Sequence, residues 1–147
     1  MRFVMKNDND LFYLCSLIEY IGRENKLKRS TVVEKLGMDT LKRIYKYAGT
    51  LHCEPIEKVA NEYSEMKNIE KGTFDNVSKC KYEIPDYWTI GDVYGRLIED
   101  ICTGDEIETL KLVYESWISD AISNYNSDFY YQSRDYIAEC FREKKII

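Results

Sequence analysis

From Ile107 onward the apolar residues fall at Ile107, Leu110, Val113, Tyr114, Trp117, Ile118, Ala121 and Ile122, the three-and-four spacing that lines one face of a helix. The same spacing recurs at Leu11, Leu14, Cys15, Ile18 and Ile21, at Leu41, Ile44, Tyr45 and Ala48, and at Ile90, Val93, Tyr94, Leu97, Ile98 and Ile101. A last stripe carries Phe129, Tyr130, Ser133, Tyr136, Ile137, Cys140 and Phe141. No comparable run of strand-like alternation offers a sheet for these stripes to cover, so they are expected to pack helix against helix. Two prolines and seven glycines in 147 residues leave few places to interrupt them. The chain is therefore expected to be all-α, a compact helical bundle of about seven helices.

Boundaries follow from the capping residues. Asp8 to Asp10 stand before the first stripe and Gly22 near its end. Thr31 and Glu34 have the spacing of a reciprocal capping box, with Gly37 suited to close a short second helix. Asp39 can cap a third helix, followed by Gly49, and Pro55 favours the first turn of a fourth that runs to about Met66. Residues 68–87 lack a helical period and contain Gly72, Asp75-Asn76 and Pro85, so an irregular joint is expected there. Three helices follow, one stopped near Gly104, one starting at Asp105 and one ending in "REKK". This divides the chain into an N-terminal four-helix unit, 1–67, and a C-terminal helical unit, 68–147, packed on it as one body.

Apolar residues make up 44% and charged residues 32%, a balance that folds. No run approaches the roughly 18 apolar residues of a membrane span, and the start resembles no secretory signal, so a cytoplasmic protein without membrane contact is expected. The five cysteines are scattered and never spaced C-x-x-C, which points to neither a disulfide framework nor a zinc site. His52 is the only histidine, and it adjoins Cys53. Neighbours in sequence point about 100° apart on a helix, so the two do not face each other as a catalytic dyad. With Glu54-Pro55 behind it, His52 reads as a residue at a helix boundary. Glycine-rich phosphate loops are absent, and the Gly91 to Gly95 stretch reads as a tight start to a helix. The carboxylate pairs Glu99-Asp100 and Asp105-Glu106 read as helix-end charges. No catalytic, metal or cofactor residues are assigned.

Charge is unevenly spread. The net charge is -5, yet Arg23 to Lys46 holds eight basic residues against three acidic ones. Lys42, Arg43 and Lys46 lie on the third helix, and with the second helix and its glycine turn they outline a helix-turn-helix that could contact DNA or another anion. Its pattern is out of step. An apolar residue is expected six positions after the turn glycine, where Arg43 stands, with Ile44 one later. Thirteen tyrosines form the other signal. Tyr125, Tyr130, Tyr131 and Tyr136 crowd a short segment, and exposed rings of this kind favour protein interfaces. The residues thus point first to a non-catalytic partner of another protein, with self-association permitted by the charge asymmetry. DNA binding through residues 31–48 is the alternative, and an enzyme using His52 the last reading.

Residues 10–63, "DLFYLCSLIEYIGRENKLKRSTVVEKLGMDTLKRIYKYAGTLHCEPIEKVANEY", resemble a family of small all-helical bacterial domains of unknown function. The shared features are an aromatic-rich first helix with Cys15, a short second helix, a third helix bearing Tyr45 and Tyr47, and the Leu51-His52 step. Members often stand beside proteins that resemble ADP-ribosyltransferases. The resemblance implies a regulatory or antitoxin-like role and no catalytic residues.

Overall fold

Asp8 opens the first helix by accepting the backbone N–H of Leu11 at 3.0 Å, which satisfies one of the donors that a helix start leaves unpaired. The computed structural model describes residues 8–147. Among the described residues there are eight α-helices and no strand, so the fold is all-α. They are α1 Asn9–Asn25, α2 Arg29–Leu36, α3 Met38–Leu51, α4 Ile56–Met66, α5 Tyr87–Ile101, α6 Glu106–Glu115, α7 Trp117–Ser123 and α8 Arg134–Glu143. A single 3-10 turn, Phe129–Tyr131, precedes α8. No helix among the described residues is long and apolar enough to cross a membrane.

The described residues form one helix more than the seven expected, because the segment after Asp105 divides at Ser116. That residue is extended, with φ -87 and ψ 170. Its hydroxyl donates to the Val113 carbonyl at 2.8 Å and accepts the N–H of Ile118 at 3.3 Å, ending one helix and capping the next. The stripe runs through the break because α6 and α7 bury Val113, Tyr114, Ile118 and Ile122 in the same core. Periodicity reports which face is buried, not whether the axis is continuous.

Two expected caps do not form. Helix α2 begins at Arg29, which puts Thr31 inside the first turn with its N–H on the Lys28 carbonyl at 2.9 Å. The capping box between Thr31 and Glu34 is therefore not made. Gly37, at φ +82, closes α2 and starts α3, a conformation that suits glycine. Asp39 consequently sits in the first turn of α3, where its charge complements the helix dipole. Asp86, Asp105 and Ser133 do cap α5, α6 and α8.

Helix α1 is the axis of the molecule. It packs on α2, α3, α4 and most extensively on α5, and Leu11, Leu14, Cys15, Leu17, Ile18 and Ile21 are all fully buried. Close approach of α5 is made possible by Gly91, where a Cβ would lie 2.1 Å from the Ser16 hydroxyl. The buried core is one cluster that runs from Leu11 to Cys140 and draws on both halves of the chain. Tyr94 of α5 and Tyr114 of α6 stack inside it at 4.0 Å. Residues 67–86 form the irregular joint, held to the end of α1 by the N–H groups of Gly72 and Phe74 on the Asn25 and Lys26 carbonyls.

Candidate functional site

The eight basic residues between Arg23 and Lys46 do not form one face. Arg29 is buried and Arg23 largely so, both paired with Glu19. Lys26 lies 3.8 Å from Asp75 and Lys28 lies 3.6 Å from Asp120. What remains is Lys35, exposed on α2, and the outer side of α3.

The buried pair is the most polar point of the core. Arg29 grips Glu19 with two hydrogen bonds of 2.9 and 3.0 Å, the bidentate geometry that suits a guanidinium and a carboxylate. Arg23 adds a contact of 2.8 Å, and the Tyr125 hydroxyl donates to the same carboxylate. Asn76 accepts from Arg29 at 3.1 Å and donates to the Ser123 carbonyl at 2.9 Å. Burial raises the Glu19 carboxyl, but Arg29, Arg23 and the Tyr125 hydroxyl outweigh it and hold the group below the usual carboxylate range. Burial and the Glu19 charge push the Tyr125 hydroxyl up to about 12. Gly22 leaves the space for this arrangement, because a Cβ there would lie 2.4 Å from the Arg29 side chain. The glycine placed near the end of α1 by its sequence position is thus a packing residue. Every group in the network is engaged, so its role is to hold α1, α2, the joint and the segment after α7 together.

Tyr125 is thereby removed from the expected protein interface. It is 3% exposed and hydrogen-bonded to the core carboxylate. Tyr130 packs edge-on to it at 6.1 Å, and Tyr136 packs on Phe129 at 6.3 Å, both half-buried. Of the four tyrosines only Tyr131 is exposed, at 67%, and its ring packs edge-on against Tyr130 at 5.0 Å.

The outer side of α3 presents Lys42, Arg43, Lys46 and Tyr47, all exposed, while Leu41, Ile44 and Ala48 are buried beneath it. Ile44 rather than Arg43 faces the core, so α3 is rotated from the usual helix-turn-helix pattern by about 100°. Helices α3 and α4 both rest on α1, and a groove of about 710 Å³ opens between them. Its walls are Asp39, Thr40, Lys42, Arg43, Lys46 and Tyr47 on one side and Tyr63 and Met66 on the other. Tyr47 is 48% exposed and Met66 65% exposed. The cations of Arg43 and Lys46 lie 6.0 and 5.4 Å from the Tyr47 ring centre, within cation–π range. Among the described residues no carboxylate forms an ion pair with Lys42, Arg43 or Lys46.

No described protein family, curated protein or solved structure matches this chain.

The remaining chemistry-bearing residues are placed as follows. His52 is exposed at the end of α3 and donates its backbone N–H to the Ala48 carbonyl at 2.9 Å; Cys53 is exposed beside it. A depression of about 670 Å³ lies beside Phe12 and Trp88, rimmed by Asp8, Asp86, Asp92 and Glu99. Each of these carboxylates is occupied. Asp8 and Asp86 cap helices, Asp92 pairs with Arg96 at 3.1 Å, and Glu99 accepts from Arg134 at 3.4 Å. Asp100 also binds Arg134, at 2.7 Å. No group of three or more His, Cys, Asp or Glu among the described residues is placed to hold a metal ion.

Proposed function

We propose that this protein is a non-catalytic docking protein whose partner is another protein, bound through the groove between α3 and α4. One observation carries the reading: three cations without carboxylate partners flank two exposed apolar side chains, Tyr47 and Met66, in one concave surface. A solvated charge face needs no such apolar floor. Docking sites combine an apolar anchor with a polar rim, and aromatic, methionine and arginine side chains are the types enriched there. A regulatory or antitoxin-like role, implied by the resemblance of the N-terminal half, would be one form of such docking.

DNA binding through α3 is less well supported. The exposed side of α4 carries Glu57, Glu62 and Glu65, with Glu54 just ahead of it, against one lysine, Lys58, already paired with Glu54 at 3.2 Å. A phosphate backbone that follows α3 would run past these charges, and each unneutralised carboxylate opposes it.

The test is a photo-crosslinker placed at Tyr47 in the full chain, expressed in the native host and activated in nuclease-treated extract. A single crosslinked protein, lost on Met66→Asp and weakened by salt, is the expected result. Crosslinks to nucleic acid in untreated extract, with no protein, would replace this reading by the DNA one.

A further inference from the structure

The groove that carries the docking reading has unlike sides. Its α3 wall is basic on balance, with Lys42, Arg43 and Lys46 against one carboxylate, Asp39, at its N-terminal end. On α4, Glu62 stands four residues before Met66 and Glu65 stands next to it, both exposed. Residues four apart are neighbours on a helix surface, so Glu62 adjoins Met66 on the strip beyond the groove. Read across the surface, the order is basic, apolar, acidic.

Such an order is self-complementary. A two-fold axis lying along the groove exchanges the two sides and keeps each residue at its own level along the axis. The basic wall of one copy then meets the acidic strip of the other, twice, with Tyr47 and Met66 of both copies between them. The levels also agree, because Lys42, Arg43 and Lys46 line the same stretch of groove as Tyr63 and Met66. A closed two-fold interface requires a patch that pairs with itself in this way.

We infer that the partner seated in this groove is a second copy of the chain, joined as a two-fold dimer in which Arg43 and Lys46 face Glu62 and Glu65 of the other copy. This rests on the docking reading and names its occupant. The helices involved are about 21 and 16 Å long by their residue counts, so the face lies at the small end of specific interfaces. The dimer is correspondingly weak, with dissociation in the micromolar range, and weakens with salt because its pairs lie at the rim.

Sedimentation velocity on the full chain, from about 5 to 200 μM, spans the range over which a micromolar dimer forms. Two charge-reversed chains accompany it, Arg43→Glu with Lys46→Glu, and Glu62→Lys with Glu65→Lys. Wild type is expected to dimerise, with affinity falling about tenfold or more from low to high salt. Each reversed chain alone is expected to stay monomeric, since like charges then meet twice. An equimolar mixture of the two is expected to dimerise again, because every opposed pair regains opposite sign. A wild-type dimer indifferent to both reversals and to Met66→Asp would overturn the inference, since it would be formed elsewhere. A monomer at every concentration would overturn it too. In that case a crosslinked foreign protein at Tyr47 keeps the docking reading, and no crosslink at all removes both.

Discussion

Two groups of positive charge in the first half of the chain have opposite fates. Arg23 and Arg29 are drawn into the core around Glu19, where Tyr125, Asn76 and the carbonyls of Pro85 and Leu27 complete their hydrogen bonding to the carboxylate. Lys42, Arg43 and Lys46 stand in water on α3 with no acidic partner of their own among the described residues. Charge that is buried must be neutralised within the molecule, because its desolvation is otherwise prohibitive. Charge left exposed and unpaired beside apolar side chains is available to something outside. The first group holds the fold and the second leaves a surface open.

The comparison breaks most visibly at Arg29. Replacing it in Arg29→Met leaves the buried Glu19 carboxylate with only Arg23 and the Tyr125 hydroxyl, and urea unfolding is expected to show a loss of up to about 3–5 kcal/mol. The double change Glu19→Leu with Arg29→Met removes both charges but leaves Arg23 without its carboxylate. It is therefore expected to recover only part of that loss, and adding Arg23→Met is expected to recover more. A small effect in the single variant would mean that water reaches the pair. Gly22→Ala comes next. Its new methyl group meets the Arg29 side chain, and overpacking of this kind costs about 1–3 kcal/mol.

Acid sharpens the same contrast. The Glu19 carboxyl is held below its ordinary value in the folded chain, so it contributes stability that is complete above the unfolded value of about 4.3. That contribution is lost as pH falls through the lower folded value. Thermal melts of Glu19→Gln should therefore lose less between neutral pH and pH about 3 than those of the native chain. The smallest expected effect lies on the open surface. Lys46→Ala and Tyr131→Ala are each expected to leave stability within about 0.5 kcal/mol, as exposed substitutions usually do. A large loss in the lysine variant would show that α3 is held by its charges and would erase the distinction.

The helices were legible because their signal is local. Each stripe needs only its own residues, and the α3 and α5 faces are buried as their spacing requires. Ser116 was not legible, since a serine within an unbroken stripe carries no mark of whether its backbone turns. Arg29 and Tyr125 were missed for a different reason. A charged residue in a basic run reads as solvated, and a tyrosine off the stripe reads as exposed. Both are buried only because Glu19, ten residues from one and 106 from the other, sits between them. The signal available in the sequence was the glutamate itself, Glu19, in the otherwise apolar turn between Ile18 and Ile21. The small residues Gly22 and Gly91 gave the complementary hint, each marking where another element comes close.

The separation between Glu19 and Tyr125 also sets a schedule for synthesis. At roughly 5–20 residues per second, Tyr125 leaves the ribosome about 5–20 s after Glu19. During that interval α1 and α2 are available to pair Glu19 with Arg29 and Asn76 joins about halfway through, but the hydroxyl that completes the cluster is not yet made. The nascent first half therefore waits with a partly satisfied ion pair and an uncovered α1. A chaperone that binds emerging chains has its longest opportunity here, before α5 arrives to cover that helix.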